Sequence, residues 1–176
     1  MDDVEFKGMK EIGFNEDVVE DGKSFYENAL IKAKTIALKH NVIAISDDSG
    51  LEVEALNGAP GIYSARYAGG HDDEENNKLL LKNLKGIENR KARYVCNICL
   101  YYPNGDTISV EEYCNGYIID ERLGSNGFGY DPYFYVDEYK KTLAQVSLEE
   151  KNKISHRAKA LRKLRGMLDE NFDIIR

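Results

Sequence analysis

The sequence predicts an α/β fold in a single domain spanning residues 1–176, with helices packed on a sheet. Three observations predict it: capped amphipathic helical segments, a short apolar run typical of a buried strand, and two β-rich segments joined by a tight turn. Hydrophobic residues make up 42% and charged residues 31% of the chain, which excludes an intrinsically disordered protein. A length of 176 residues supplies one full core and is short for two domains.

The first elements are a short strand with a turn at residues 3–14 and a helix that begins at Ser24. Ser24 and Glu27 form the S-x-x-E capping box that marks a helix start, and the helical period continues to about Lys39. The expected inner face of this helix carries Phe25, Ala29, Ala33, Ile36 and Ala37.

An apolar run at residues 42–45 has no helical period, which predicts a strand covered on both faces in the middle of the sheet. The polarity then changes at Asp47, Asp48 and Ser49, and Gly50 is expected to turn the backbone. Two adjacent carboxylates at the carboxyl end of a strand indicate a metal site or an acid-base site, because both are costly to keep ionised without a partner. A simple turn is the alternative, although a turn needs only one Asp.

The middle of the chain predicts a second helix followed by a hairpin. Asp72 and Glu75 repeat the capping signature, and this helix is expected to close at Gly86. Residues 92–119 are rich in β-branched and aromatic residues and contain the turn sequence Pro-Asn-Gly-Asp at 103–106. This pattern predicts two antiparallel strands.

A glycine-rich aromatic loop at residues 124–135 precedes the last helical segment. Such a loop either fills a gap in the core or binds a ligand, and composition leaves both interpretations open. The capping pair of Ser147 and Glu150 then predicts a third helix that continues to about Leu168. The cations clustered on that segment are Lys151, Lys153, Arg157, Lys159, Arg162, Lys163 and Arg165.

The charge balance limits the partners of this chain. The net charge is −7 and the pI about 5.1, so we expect no binding to a nucleic acid polymer or to an anionic membrane. No apolar run approaches the length of a membrane span, and the first residues lack the pattern of a signal peptide, which predicts a cytoplasmic location. Cys96 and Cys99 have C-x-x-C spacing, but positions i and i+3 of a strand face opposite sides of a sheet. They are therefore predicted to be buried free thiols.

The carboxylate pair, the aromatic loop and the cationic helix start together fit a nucleoside triphosphate. Its phosphates need a divalent cation and Lys or Arg, and its base needs a flat surface. Asp48 or Asp47 could orient or deprotonate water, with Glu20 as a second metal ligand. Lys32 and Lys34 lie on the first helix, where a solvated surface is favoured over contact with phosphate.

Four segments of the chain match the motifs of one known family. They read EDGKSFYENALIKAK at 20–34, SDDSGLEVEALNGAPGIYSARYAGG at 46–70, GSNGFGYDPYF at 124–134 and EEKNKISHRAKAL at 149–161. They resemble the inosine triphosphate pyrophosphatase family, also called the Ham1-like family of noncanonical purine nucleoside triphosphate pyrophosphatases. The resemblance covers nearly the whole chain. It implies an elongated, two-lobed α/β fold (ITPase-like) with a long mixed central sheet flanked by helices, a cleft between the lobes, and a homodimer.

The resemblance also implies an activity, namely hydrolysis of ITP, dITP and XTP to the monophosphate and pyrophosphate, which removes deaminated purines from the nucleotide pool. By the same motifs, Glu20 and Asp48 would hold Mg²⁺, and Asp48 would accept the proton of the attacking water. The residues implied to contact substrate are Ser49, Phe128, Gly129, Tyr130, Asp131, Lys151, His156 and Arg157. Among these, Arg157 would donate to the 6-oxo group of the base and disfavour the 6-amino group of adenine.

The amino terminus departs from the family pattern. Family members normally begin with a strand and a T-x-N-x-x-K turn that binds the triphosphate, whereas this sequence begins MDDVEFKG. We therefore expect the amino-terminal phosphate-binding segment to be missing. The missing segment gives one alternative function, a noncatalytic or impaired nucleotide-binding remnant of this fold. A separate alternative is a pyrophosphatase that acts on modified pyrimidines, as in the structurally related Maf-like proteins.

Overall fold

The computed structural model describes residues 4–174. Within this range the helices are α1 (Phe25–His40), α2 (Asp73–Asn83), α3 (Leu148–Ile154) and α4 (His156–Ile174). The strands of the same range are β1 (Ala44–Val53), β2 (Lys91–Tyr101), β3 (Thr107–Ile118), β4 (Phe134–Val136) and β5 (Lys141–Thr142). Two short 3₁₀ helices, Glu54–Leu56 and Gly61–Arg66, follow β1. The predicted α/β class is confirmed.

The five strands form one sheet, in the order β1-β2-β3-β4-β5, within the described range. Strand β4 is antiparallel to both of its neighbours, with Tyr135 opposite Tyr117 of β3 and Thr142 of β5. The predicted hairpin of β2 and β3 is also present. Its turn is closed by the Tyr102 amide, which donates to the Asp106 carbonyl at 2.9 Å.

The contacts between β1 and β2 indicate that this pair is antiparallel as well. Glu52 accepts from Arg93 at 2.7 Å, and Glu54 accepts from Asn89 at 3.1 Å. From Glu52 to Glu54 the residue number rises, whereas that of the partner falls from Arg93 to Asn89. Opposite directions of this kind are the pattern of antiparallel neighbours. The resemblance implied a mixed sheet; in the described part of the chain these pairings are antiparallel.

Helix α1 begins and packs as predicted. The Ser24 hydroxyl accepts a hydrogen bond from the Glu27 amide at 3.1 Å, and the helix ends at Asn41 in the left-handed conformation with φ 51°. The Glu27 carboxylate accepts from the Lys23 amide at 2.6 Å rather than from Ser24, so the reciprocal half of the capping box is displaced by one residue. All members of the predicted inner face are buried: Phe25, Ala29, Ala33, Ile36 and Ala37.

Strand β1 differs from its prediction in length and in position. Gly50 does not turn the chain, because the strand continues to Val53 with Leu51 and Val53 fully buried. The prediction that this apolar run is covered on both faces is wrong, since Ile43 and Ile45 are 57% and 41% exposed. The position in the middle of the sheet is also wrong, because β1 is the terminal strand of the order among the described residues. A run of four apolar residues does not distinguish a central strand from one with a single covered face.

The amino-terminal segment forms a turn without a strand. The predicted strand begins at residue 3, which lies outside the described residues, and residues 4–8 are not in a strand. The predicted turn is present, since the Gly13 amide donates to the Lys10 carbonyl at 3.1 Å and the Phe14 amide to the Met9 carbonyl at 2.9 Å.

The last helical segment is two helices rather than the single one predicted. Its start is confirmed, because Ser147 and Glu150 form a complete capping box. The interruption is at Ser155, whose backbone is extended and whose hydroxyl accepts from the Ala158 amide at 3.2 Å. A serine hydroxyl that satisfies a free helical amide begins a new helix, α4, immediately after α3 ends at Ile154.

The described residues group into two compact units, each with its own core. Unit 1 contains residues up to 48, residues 97–111 and residues from 160 onward, and unit 2 contains residues 49–96 and 112–159. The unit 1 core comprises Phe14, Ala29, Ala33, Ile36, Ala37, Ala44, Cys99 and Tyr101. The unit 2 core comprises Leu51, Val53, Leu80, Leu84, Ala92, Tyr94, Cys114, Ile118, Tyr130, Phe134, Val136, Leu143, Val146 and Ile154. The single-domain organisation, the elongated shape and the cleft stay predictions.

Two further expectations concern helices and thiols. Among the described residues, the helices are too short or too polar for any of them to cross a membrane. Cys96 and Cys99 are buried and form no disulfide, as predicted from their opposite faces of β2. Cys114 is buried and free as well.

Candidate active site

Two carboxylates of unit 1 converge on the ammonium group of Lys32. The Lys32 Nζ lies 3.0 Å from an oxygen of Glu20 and 3.7 Å from an oxygen of Asp48. The predicted pair of Glu20 and Asp48 is therefore brought together, although the residues are far apart in sequence. The solvated-surface interpretation is wrong for Lys32 and confirmed for Lys34, which is exposed.

Strand geometry selects Asp48 over Asp47 as the partner of α1. Side chains alternate between the two faces of a strand, so Asp48 shares a face of β1 with Ala44 and Ser46. The Ser46 hydroxyl donates to the Ala29 carbonyl, which identifies this face as the one covered by α1. Asp47 occupies the opposite face.

Asn28 fixes the orientation of Asp48, and sequence reasoning missed it. The Asn28 side chain is 2% exposed, donates to Asp48 Oδ2 at 3.1 Å and accepts from the Gly22 amide at 2.9 Å. A Cβ atom at Gly22 would lie 2.6 Å from the Asn28 Oδ1, so only glycine fits there. The available signal was an amide residue beside Ala29 on the buried stripe of α1, a position that favours a partnered polar group.

The donor set of this group fits a magnesium ion. Carboxylate oxygens are preferred ligands of Mg²⁺, which is commonly held by one or two carboxylates together with water and substrate phosphates. Glu20 and Asp48 supply two carboxylates that already converge on one cation, the Lys32 ammonium. No group of three or more His, Cys, Asp or Glu side chains suited to a metal occurs among the described residues.

The glycine-rich loop of unit 2 places some of its aromatic rings in the core and exposes another. Tyr130 and Phe134 are buried in the core, whereas Phe128 is 68% exposed. Lys151 connects these parts: its ammonium lies 4.9 Å from the centroid of the Phe128 ring and forms a salt bridge with the buried Asp131. The Phe128 amide also donates to Asp131 at 3.1 Å, so one carboxylate holds both the ring's backbone and the lysine.

Gly127 allows this close approach. Its φ is +76°, and an added Cβ would lie 2.1 Å from the Asp131 Oδ2 and 3.2 Å from the Lys151 Nζ. Both the conformation and the contact therefore require glycine at this position.

Tyr94 links the loop to the start of α4, a role that no sequence pattern indicated. Its ring is stacked on the imidazole of His156, and its hydroxyl hydrogen-bonds Asp131. Burial, together with the charge of Asp131, raises the pKa of Tyr94 well above its ordinary value, so the phenol stays protonated. Phe128, Asp131, Lys151 and His156 are thus one connected group.

The remaining predicted substrate residues lie at defined positions of unit 2. Ser49 directly follows Asp48 in β1 and is half-buried. Arg157 is the exposed second residue of α4. Tyr130 donates from its hydroxyl to the Ser64 carbonyl at 2.7 Å, which makes it a packing residue of the loop.

A separate pocket of about 790 Å³ in unit 2 contains none of the predicted site residues. Its charged lining residues are Glu52, Glu54, Asp137, Glu138, Lys91, Arg93 and Lys159. Both signs of charge are present in similar number, and the lining favours no single class of ligand.

Comparison with known proteins assigns the family. A model of the Ham1 family matches residues 1–167. The chain belongs to the Ham1 family. Among its relatives, the dITP/XTP pyrophosphatase of Bacillus anthracis is 48% identical over 175 residues, which is 97% of this chain and 87% of that protein. The dITP/XTP pyrophosphatase of Bacillus subtilis (strain 168) is 48% identical over 166 residues, or 93% of this chain and 84% of that protein.

Solved structures of Ham1 proteins support the fold. The Ham1 protein of Staphylococcus aureus superposes with a TM-score of 0.90 at 46% identity, covering 94% of this chain and 86% of that one. A HAM1 protein of Coxiella burnetii gives a TM-score of 0.90 at 40% identity, covering 97% and 89%. The α/β class and the family resemblance predicted from the motifs are confirmed.

Proposed function

We propose that this protein hydrolyses ITP, dITP and XTP to the nucleoside monophosphate and pyrophosphate. The main support for this activity is that relatives 48% identical to this chain, over almost its full length, are dITP/XTP pyrophosphatases. The convergence of Glu20 and Asp48 on one cation supports the proposal, because phosphoanhydride hydrolysis needs charge neutralisation and a carboxylate near the attacking water.

Asp48 is the proton acceptor in this proposal. The oxygen of water bonds to one phosphorus of the α–β bridge, and the bond from that phosphorus to the bridging oxygen breaks. The monophosphate and pyrophosphate separate, and the proton of the water passes to the Asp48 carboxylate. Asn28 holds one Asp48 oxygen and leaves the other directed at Lys32, so the carboxylate is oriented before substrate arrives. Mg²⁺ bound by Glu20 and Asp48 would offset the negative charge that develops on the phosphates.

The connected group of unit 2 is the proposed base-binding element. The exposed Phe128 ring offers a stacking surface, and the loop residues Gly129, Tyr130 and Asp131 shape it. Lys151 and His156 contact substrate beside this ring, and Ser49 contacts it from β1. Arg157 has only hydrogen-bond donors, which suits a 6-oxo purine and leaves the 6-amino group of adenine without an acceptor.

The proposal extends to a magnesium requirement, a homodimer and a cytoplasmic location, where free nucleoside triphosphates are found. Size-exclusion chromatography with light scattering tests the dimer. Titration of MgCl₂ after treatment with EDTA tests the metal requirement.

Pyrophosphate release from ITP, dITP, XTP, ATP, GTP and dUTP tests the activity. We expect the first three to be preferred, and Asp48→Asn to lower kcat by about 10²–10⁴-fold. The matched control is Glu16→Gln, an exposed unit 1 carboxylate paired with Lys39, which should leave the rate unchanged. If the folded protein releases pyrophosphate from none of these nucleotides, a noncatalytic member of the fold is favoured. A preference for dUTP would favour a pyrimidine pyrophosphatase.

A further inference from the structure

We propose that Asp73 and Asn77 of α2 form a clamp on Gly129, and that this clamp sets the affinity for nucleotide by holding the Phe128 ring in place. The proposal rests on the proposed function, in which Phe128 stacks on the base. Neither Asp73 nor Asn77 lies in the four segments on which the family resemblance and its implied site residues rest.

Both backbone groups of Gly129 are bound by α2. The Gly129 amide donates to the Asp73 carboxylate at 2.7 Å, and the Gly129 carbonyl accepts from the Asn77 side-chain amide at 2.9 Å. Gly129 has φ +61°, in the left-handed region, so this conformation is held at two points. The loop is joined to a helix more than fifty residues away in sequence.

The two α2 side chains are not committed to capping their own helix. The neighbouring Asp72 is the N-cap and accepts from the amides of Glu74 and Glu75. Asp73 is thereby left available to accept from Gly129. Because helix N-termini favour acidic side chains, its charge costs little at that position.

The Asn77 side chain buries one polar atom without a hydrogen bond, and its role in the clamp explains why this cost is tolerated. Its side chain is 3% exposed, and its Nδ2 donates to two carbonyls, those of Asp73 at 2.8 Å and of Gly129 at 2.9 Å. The Oδ1 atom is buried without a hydrogen-bond partner among the described residues. An apolar side chain would avoid this unsatisfied atom, so the amide is retained for the bonds that it donates.

The clamp completes the anchoring of an exposed ring. Phe128 is held on its amino side by Asp131 and on its carboxyl side by the bound Gly129. Its ring is therefore exposed on a fixed backbone, and little conformational entropy remains to be lost when a base stacks on it. Release of Gly129 should weaken nucleotide binding more than it slows the chemical step.

The test is a double-mutant cycle between the clamp and the ring, measured with ITP and Mg²⁺. We expect Asn77→Ala to raise KM about tenfold, the size of one lost hydrogen bond, with kcat within about twofold. In a Phe128→Ala background the same change should have almost no effect on KM, because the clamp acts through the ring. Asp73→Asn retains an acceptor and should rescue much of the loss seen in Asp73→Ala. The matched control is Asn83→Ala, which removes an exposed α2 amide bonded to Tyr67.

Several outcomes overturn the clamp. Equal KM effects of Asn77→Ala with and without Phe128 would show general destabilisation of α2, as would a loss of kcat alone. Hydrogen exchange of the Gly129 amide provides a readout that does not need activity: protection should fall in Asn77→Ala and stay in Asn83→Ala. If the unmodified protein hydrolyses no nucleotide, the proposed function fails, and unchanged Gly129 exchange in Asn77→Ala separately overturns the clamp.

Discussion

The Tyr94 ring lies nearly parallel to the imidazole of His156, with 4.9 Å between their centroids and 9° between their planes. The same phenol hydrogen-bonds Asp131 of the glycine-rich loop. One residue of β2 therefore aligns the start of α4 with the loop, through its ring on one side and its hydroxyl on the other.

Tyr94 substitutions should separate these two contributions. Tyr94→Phe keeps the stacking and loses the bond to Asp131, whereas Tyr94→Leu loses both. We expect KM for ITP to rise by about tenfold or more in the first variant and further in the second, because hydrogen bonds to charged groups contribute about 1.5–3 kcal/mol. Steady-state kinetics with thermal unfolding as the stability control measures this. Identical kinetics in the two variants would assign the effect to the hydroxyl alone.

The two faces of β1 make neighbouring aspartates unequal. Asp48→Asn should lower kcat by about 10²–10⁴-fold, while Asp47→Asn should retain most of the activity, since Asp47 points away from the face covered by α1. Pyrophosphate release at saturating ITP compares them. A comparable loss in both variants would contradict the assignment of the proton acceptor to Asp48.

Lys32 should compete with the metal for the two carboxylates. In Lys32→Met, Glu20 and Asp48 face each other without the ammonium between them, so the protein in EDTA should melt roughly 2–4 °C lower. Added MgCl₂ should then raise the Tm of this variant more than that of the unmodified protein, because the metal replaces the lost cation.

Lys34→Met removes an exposed lysine of the same helix and is the matched control. Its Tm in EDTA and in MgCl₂ should follow the unmodified protein. An equal response to MgCl₂ in all three proteins would mean that the ion does not bind between Glu20 and Asp48.

Arg157 should determine the preference for a 6-oxo base. We expect Arg157→Ala to narrow the ratio of kcat/KM for ITP over ATP by about tenfold, because a donor to the 6-oxo group is lost while ATP loses no favourable contact. Arg157→Lys should keep part of the preference. A ratio unchanged in Arg157→Ala contradicts the proposed role.

Two buried thiols make stability depend on pH in the alkaline range. Burial raises the pKa of Cys99 and of Cys114 from 9.0 to about 11. The unfolded chain therefore loses these protons first, and the stabilisation present below pH 9 is lost as the pH rises through 9 to 11.

Chemical denaturation at pH 8.5 and 10.5 measures this dependence. The unmodified protein should lose about 3–4 kcal/mol more across this range than a Cys99→Ala, Cys114→Ala double variant, roughly half of it from each thiol. Parallel pH profiles for the two proteins would exclude the thiols as the cause. At pH 8, iodoacetamide should label the two thiols slowly in the folded protein and rapidly in guanidinium.

The helix starts were predictable because their signals are local. Ser24, Asp72 and Ser147 each lie within three residues of the amides that they cap, and all three predictions are confirmed. The extent of β1 was not predictable in this way, because pairing with β2 and burial of Leu51 and Val53 override the turn propensity of Gly50.

The site was predictable only where motifs name single residues. Glu20 and Asp48 were both selected from sequence and both meet Lys32, but a lysine between them was not expected. Asn28 and Tyr94 act through contacts made in the folded chain. Asn28 gives one signal, an amide on the buried stripe of α1, but the sequence does not name its partner. Tyr94 is ordinary for a buried strand, so no pattern distinguishes it from a packing residue.

Gly127 limits how this protein can evolve new substrates. Loop mutation is the usual route to altered recognition, yet every side chain at position 127 would collide with the Asp131 carboxylate and break the contact with Lys151. Random libraries that include this codon would lose nearly all active members there, whereas the neighbouring Phe128, with its exposed ring on a fixed backbone, is free to vary. Within the loop, altered base contacts are thus expected at position 128 and not at position 127, while the loop conformation stays the same and Arg157 acts from outside the loop.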